Sequence, residues 1–411
     1  MIINSIDYGG RCTCGRNHEM QTKLAVVEAG CMKQFDEYLE KYQLTGFRTA
    51  IYDKNTYNAE GLMRPFADQE IILDPENLHA NEKTVAKILA QLSDKTKLLI
   101  AVGSGTIHDA TRYCAWEKGI PFVSCPTAAS VDGFCSSVAA MTWEGFKRTL
   151  TAVPPTIVLA DLDVITKAPL FLAQAGFGDI IGKFIALTDW KISHILTGEF
   201  YCQRIAKMTQ DATQAVLDSA VGITSGDPDS YEKLTYGLLL SGLAMQLMGN
   251  SRPASGAEHH ISHIIEMEPE SLGIHSDALH GEKVGVGTLM AAEEYHRLAG
   301  LTEWADYPPI TKDEIYAVFG DRLSRQIEEE NSKDAAAGIT GECIRKHWAQ
   351  IQEEIAKVPT AENLRKLYRN LGVMDTLTDL GVSEDKKALL LDLSPMVRNR
   401  LTLMRLRRCL M

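Results

Sequence analysis

The run Lys97-Leu-Leu-Ile-Ala-Val102, followed at once by Gly103-Ser-Gly105 and a helical pattern, limits the fold more than any other stretch. A nearly continuous apolar run bounded by glycine reads as a strand buried on both faces, and such strands occur in parallel sheets covered by helices. Strand and helix alternate around it. Phe47–Tyr52 reads as a short strand with Asp53 at its end, Asn81–Ser93 as a helix, Asp109–Lys118 as a helix that Gly119 ends, and Pro121–Cys125 as the next strand. A helical stretch is expected upstream, from Lys23 to Tyr42. The alternation runs to about Asp161 and defines a parallel α/β domain. From Thr166 the pattern changes to long helices, at Leu170–Ile195, Glu199–Ala220, Tyr231–Met248, Gly256–Glu266 and Gly281–Leu298, without β-branched strand runs. The expected division is an α/β domain over residues 1–165 and an all-helical domain over 166–411, and a chain of 411 residues suits two cores better than one.

Composition excludes some roles. A formal net charge of −12 argues against a nucleic-acid partner, which selects for a basic face. The first residues lack the apolar core of a signal peptide, and the longest apolar run, Gly237–Gly249, is too short to cross a bilayer and reads as a buried helix. Nine cysteines, odd in number and scattered, suit a reducing cytoplasm better than a disulfide framework. Cys12, Cys14 and His18 form a C-x-C-G-x-x-H arrangement. A zinc knuckle would need a fourth ligand and none lies nearby in sequence, so a loop with spare thiols is the expectation. Residues 311–357 read as charged, solvent-facing helices. The terminal stretch Pro395–Met411, with Arg398, Arg400, Arg405, Arg407 and Arg408 among apolar residues, reads as a docked helix with snorkelling arginines rather than a membrane-surface element.

Four constellations carry chemistry. Val102-Gly-Ser-Gly-Thr-Ile-His-Asp109 feeds a strand through a glycine turn into a helix N-terminus, which offers backbone N–H groups to an anion. Thr127, Ser130 and Asp132 follow the next strand, where ligands collect in α/β folds, and Asp53 stands where an acidic residue holds ribose hydroxyls in dinucleotide sites. Asp179 is a carboxylate in a largely apolar, glycine-bounded helical segment, where a metal would serve as its partner. The stretch Asn250–Gly287 holds five of the eleven histidines, His259, His260, His263, His275 and His280. His259 and His263 share a helix face at i,i+4, and two imidazoles with one carboxylate make a divalent-metal site open to substrate.

In their order, GSGTIHDATRY, PTAASVDGFCSS, ADLDVI, GFGDIIGK, SGAEHHISHIIE and LHGEKVGVG resemble the glycerol-1-phosphate dehydrogenases, most closely the bacterial branch. That family belongs to a metal-dependent superfamily that also contains glycerol dehydrogenase and dehydroquinate synthase. The resemblance covers roughly Asp53 to Gly287. It implies a dehydroquinate synthase-like fold, with a Rossmann-like dinucleotide-binding domain at 1–165 and a metal- and substrate-binding domain at 166–411. It implies that Asp179, His259 and His280 hold one divalent metal ion, zinc or nickel, and that Asp132 and His263 contact substrate and act in catalysis. Asp53, Gly105, Thr106, Ile107, His108, Asp109, Thr127, Ala128, Ala129, Ser130 and Ser136 would contact NAD(H) or NADP(H), with Asp53 favouring NAD. His260 and His275 match no ligand of the family. The implied reaction is reversible reduction of dihydroxyacetone phosphate to sn-glycerol 1-phosphate, in a cytoplasmic homodimer or larger homo-oligomer. Arg252, Lys147 and Arg148 are the cationic candidates for the substrate phosphate. A dehydrogenase of unphosphorylated polyols would share nearly every motif. A dehydroquinate synthase-like lyase and a non-catalytic metal- or nucleotide-binding regulator are the remaining alternatives.

Overall fold

Alternate residues of the Thr96–Gly103 strand enter two different cores. Leu98, Ile100 and Val102 pack with Val26, Tyr52, Val123 and Leu159 and with Phe35 and Leu39 of the helical stretch beneath them. Leu99 and Ala101 pack on the other face with Ile51, Ile71 and Phe122 and with Val85, Ile88, Ile107 and Cys114 from the Glu82–Gln91 and Gly105–Lys118 helices. A strand buried on both faces has no room for alternating polar residues, which is why its sequence is continuous rather than periodic.

The computed structural model describes residues 1–144 and 146–410; the side chains of Phe146 and Lys147 lie outside the description. Numbered in chain order, the strands are β1 (Ile2–Asn4), β2 (Gly10–Arg11), β3 (Asn17–His18), β4 (Leu24–Glu28), β5 (Phe47–Asp53), β6 (Gln69–Leu73), β7 (Thr96–Gly103), β8 (Phe122–Pro126), β9 (Val138–Trp143), β10 (Phe146–Thr151) and β11 (Ile157–Asp161). Seven of them form one sheet in the order β1-β4-β11-β8-β7-β5-β6, and β9–β10 and β2–β3 form two-stranded ribbons. All pairings in the large sheet are parallel except β1 on β4, at the edge.

Two compact units divide the chain. The first comprises Met1–Ile180 and Gln214–Asn250, the second Ile181–Thr213 and Ser251–Met411. Packing therefore divides the molecule differently from a cut at residue 165 by element type. The Pro228–Met248 helix belongs with the sheet, and the reason is local. A Cβ on Gly242 would come within 2.7 Å of the Asp132 carbonyl oxygen, so a glycine there lets the helix backbone lie against the loop after β8. In the second unit an isolated bridge, Trp304–Leu410, is the sole β pairing among the described residues.

Several elements depart from expectation. Residues 24–28 are not the start of a helix but β4, which pairs with β1 and β11; a 3-10 turn follows at Cys31–Gln34, and α-helix begins at Phe35. Leu-Ala-Val-Val is apolar at every position, so it carries no helical period, and all four residues are buried in the sheet. The expected helix at 170–195 is two helices, Leu170–Ile181 and Lys183–Thr197, meeting at Gly182. This stretch is apolar and long enough to cross a membrane by composition, and 72% of its most apolar window is buried. The expected terminal helix is instead a chain of short turns, Ser394–Val397, Leu403–Leu406 and Arg407–Cys409. Arg405 does not snorkel. Its buried guanidinium bonds Asp334 at 2.6 Å, Asn331 at 2.6 Å and the Pro395 carbonyl at 2.7 Å, and these bonds compensate its burial.

Candidate active site

In the first unit, chain order and sheet order locate a crevice. The connection after β5 leads outward to β6, whereas the connection after β7 leads the other way, to β8. Neighbouring strands whose connections diverge make a topological switch point, where ligands bind outside the carboxyl ends. Asp53 ends β5 and Gly103 ends β7, so both border that crevice. Gly103 is required by packing, because a Cβ there would lie 2.8 Å from Ile107. Ser104 is the N-cap of the Gly105–Lys118 helix without a side-chain bond to it, and no acidic residue stands in the first turn. The N–H groups of that turn thus keep their positive end for an anion.

The candidate cofactor residues fall into place unevenly. Thr127 donates its N–H to the Gly103 carbonyl at 3.0 Å, which sets the loops after β7 and β8 side by side. Ala128, Ala129 and Ser130 are buried, and the Ser130 Oγ has no hydrogen-bond partner among the described residues, as a ligand-binding hydroxyl would. Ile107 turns its side chain into the core, so only its backbone is left for a ligand. His108 is buried with Nδ1 2.9 Å from the Ser104 carbonyl, and burial pushes its pKa down to about 3. Asp109 lies 3.6 Å from Arg112, which is itself buried and bonds the carbonyls of Phe134, Ser136 and Val138. Arg112 therefore positions the 134–138 loop on the helix. The Ser136 hydroxyl bonds the Val138 carbonyl at 2.9 Å, a loop-shaping contact, and the Asp53 carboxylate caps Lys54–Tyr57 through the Thr56 N–H and hydroxyl at 2.9 and 2.8 Å.

Asp132 joins this loop to the helices of the same unit. Its backbone N–H donates to the Asp179 carboxylate at 3.0 Å, and its own carboxylate accepts from the Ser241 hydroxyl at 2.9 Å. Asp179 is fully buried. Its helix reaches the loop after β8 at Gly176, where a Cβ would stand 2.0 Å from the Ala129 carbonyl oxygen. Ser241 was not foreseen, since a serine in an apolar helix carries no pattern of its own.

In the second unit, the Ala257–Met267 and His280–Ala299 helices bring the histidines together. Their backbones approach at Gly287, where a Cβ would meet the Glu258 carbonyl oxygen at 2.6 Å. The rings of His259 and His280 have centroids 5.4 Å apart, and their nearest ligand nitrogens lie within 4.8 Å of each other. Each ring is oriented by a carboxylate. His259 Nδ1 lies 2.7 Å from Glu258 Oε1, and His280 Nδ1 lies 2.6 Å from Glu266 Oε1. A carboxylate accepts only, so both Nδ1 atoms carry protons and both Nε2 atoms present lone pairs, the arrangement of metal-ligating histidines. The donor set fits a divalent metal.

His263, one turn on from His259, is half-buried with Nδ1 lacking a partner among the described residues. Burial, then the charge of Arg398, hold its pKa well below the ordinary range. His260 is fully buried with neither nitrogen bonded among the described residues, and His275 is exposed beside Glu268. Arg252 is committed to structure, bonding Glu199 and the Leu401 carbonyl, and Lys147 lies outside the described side chains. Arg398 and Arg400 instead act on the histidine helix: burial, then the charge of Arg398, lowers the pKa of His263, and burial, then the charge of Arg400, lowers that of His260. The sequence placed them in a helix that does not form.

Residues 26–169 match the family model for iron-containing alcohol dehydrogenases. Among solved structures, a probable glycerol dehydrogenase from Sinorhizobium meliloti 1021 superposes with a TM-score of 0.60 at 18% identity, over 91% of this chain and 88% of that one. The fold is thus dehydroquinate synthase-like, a parallel-sheet domain followed by a helical region. The glycerol-1-phosphate dehydrogenase (NAD(P)+) of Bacillus licheniformis is 37% identical over 304 residues, 71% of this chain and 75% of that protein. Its counterpart in Geobacillus thermodenitrificans is 31% identical over 391 residues, 93% and 91% of the two chains. The protein belongs to the glycerol-1-phosphate dehydrogenase family.

Proposed function

We propose that the protein reduces dihydroxyacetone phosphate to sn-glycerol 1-phosphate with NADH or NADPH, reversibly. The observation that carries this reading is the pair His259 and His280, each fixed by its own carboxylate with Nε2 presented. Asp179, His259 and His280 would hold the divalent metal, zinc or nickel, with Asp179 as the third ligand. When bound, the metal supplies positive charge against a ketone oxygen and the nicotinamide supplies hydride.

The chain's own groups do the rest. The open N–H groups after Ser104 receive the cofactor pyrophosphate, and Ser130 Oγ bonds the cofactor. Asp53, its carboxylate at the switch point, disfavours a 2′-phosphate and so favours NAD. Asp132, steadied by Ser241, accepts from a substrate hydroxyl. His263 uses its Nδ1 to orient the substrate and to hand on the proton the alkoxide takes up. Arg398 supplies the cation that distinguishes a phosphorylated ketone from a plain one. A cytoplasmic homodimer or larger homo-oligomer is part of the same reading.

The test is NADH oxidation with dihydroxyacetone phosphate and with dihydroxyacetone, before and after chelation. The expected result is a strong preference for the phosphorylated ketone, lost with the metal. Equal rates on both ketones sink the phosphate assignment, and activity that survives complete metal removal sinks the mechanism.

A further inference from the structure

The N-terminal hairpin is too small to stand unaided. Strands β2 and β3 contribute two residues each, and a two-stranded ribbon even of ordinary length is marginal in water. Its turn curls tightly: Cys12 N–H donates to the Arg16 carbonyl and Gly15 N–H to the Cys12 carbonyl, both at 3.0 Å. Gly15 has φ +89°, a value that favours glycine. The curl brings the sulfurs of Cys12 and Cys14 and a ring nitrogen of His18 within 4.8 Å of one another.

His18 is almost fully buried, and its Nδ1 lies 2.7 Å from the Leu247 carbonyl oxygen. A carbonyl only accepts, so Nδ1 carries the proton and Nε2 presents its lone pair, 3.1 Å from the Cys14 sulfur. A ring tied by one nitrogen to a backbone carbonyl, with the other facing thiols, has the tautomer and anchorage of a metal-bound histidine. Zinc–sulfur and zinc–nitrogen bonds of about 2.3 and 2.0 Å at a tetrahedral angle separate S and N by about 3.5 Å. The pair needs to open by only a few tenths of an ångström.

Structural zinc sites close at four ligands, and the remaining thiols are not equivalent. Cys31 and Cys125 lie in the apolar core on one face of the sheet, and Cys114 lies in the core on the other. Cys135 is buried in the loop that Arg112 holds, and Cys409 is buried at the chain's end; burial pushes both thiols up to about 12. Cys343 faces His347 on its own helix. Cys202 is left, fully buried immediately before the Gln203–Ser219 helix. We propose that Cys12, Cys14, His18 and Cys202 bind a structural zinc ion, distinct from the catalytic metal. Binding releases three thiol protons and leaves three thiolates and one neutral imidazole on a divalent ion, a site of net charge −1. The ion staples the hairpin that the backbone alone cannot hold.

Metal analysis of the purified full-length protein tests this. The His259→Ala variant is expected to retain one zinc per subunit, and Cys14→Ser or Cys202→Ser in that background to lose it. Cobalt in place of that zinc should give a sulfur-to-cobalt charge-transfer band that weakens or vanishes with Cys202→Ser. Where a cysteine variant does not fold, titrating the intact His259→Ala protein with a mercurial should release one zinc as thiols react. A folded His259→Ala protein without zinc overturns the proposal, as does a Cys12–Cys14 disulfide in the purified chain. A Cys202→Ser protein that keeps both zinc and band overturns its fourth ligand. One zinc and no second divalent metal, nickel included, in wild type and His259→Ala alike, with that zinc lost in Cys202→Ser, supports this site while sinking the catalytic-metal reading.

Discussion

The backbone N–H of Asp132 donates to the carboxylate of Asp179 across 3.0 Å, tying a loop after β8 to a helix 47 residues further on. The bond holds one carboxylate oxygen in place and joins the proposed substrate contact to the proposed metal ligand. Asp179→Asn preserves an oxygen acceptor for that bond but removes the charge. The variant should fold with a melting temperature near wild type, lose its catalytic metal, and lose more than about 100-fold in kcat/KM. Metal analysis beside circular dichroism checks both halves. Full activity without the carboxylate would show that Asp179 is no ligand.

Arg398 is the cation felt most strongly by His263. Arg398→Met should lower kcat/KM for dihydroxyacetone phosphate by roughly 10- to 100-fold, the worth of one charged hydrogen bond, while leaving the slow rate on dihydroxyacetone unchanged. Equal losses on both ketones would make Arg398 a structural residue.

Gly176 sets the distance between its helix and the loop after β8, the proposed cofactor contact. An alanine there must displace the Ala129 carbonyl, since its Cβ would fall at 2.0 Å. Gly176→Ala should cost about 1–3 kcal/mol in urea unfolding and raise the KM for nicotinamide cofactor more than that for the ketone. An unchanged cofactor KM would show that the loop does not touch the dinucleotide.

His108 makes the fold acid-sensitive. Its pKa falls from 6.5 to about 3 on folding, so between these values the unfolded chain binds a proton that the folded chain does not. Stability therefore rises with pH across that window and is lost as pH falls below about 6.5, by about 1.4 kcal/mol at pH 5.5. His108→Gln should flatten that part of the profile in urea midpoints measured from pH 7.5 to 5.5. Identical slopes would mean that the ring titrates normally in the folded state.

The legible parts of the molecule were those where one segment carries its own signal. The β7 run, the glycine turn after it, Gly119 as a left-handed helix end and the i,i+4 histidines declare themselves within a few residues. What was missed is set by neighbours distant in sequence. The apolar run at 24–28 is ambiguous until β1 and β11 are known to flank it. Glu258 and Glu266 look like ordinary helix charges until His259 and His280 are seen to need them. Arg252 stands among three candidate phosphate cations in the sequence, and its bond to Glu199, 53 residues away, is visible only in the fold.

Gln246 sits near the end of the Pro228–Met248 helix and accepts the N–H groups of Gln21 and Thr22 while bonding the Thr22 hydroxyl and the Cys135 carbonyl. The residues it joins are made some 224 positions apart. During synthesis, a nascent chain that has emerged through β11 holds all seven strands of the sheet but not the helix that covers its loop. Such long-range closure is slow and leaves apolar surface waiting. A fragment ending at residue 180 is thus expected to populate an aggregation-prone intermediate, and the first unit becomes a folding unit only after the ribosome has passed Asn250.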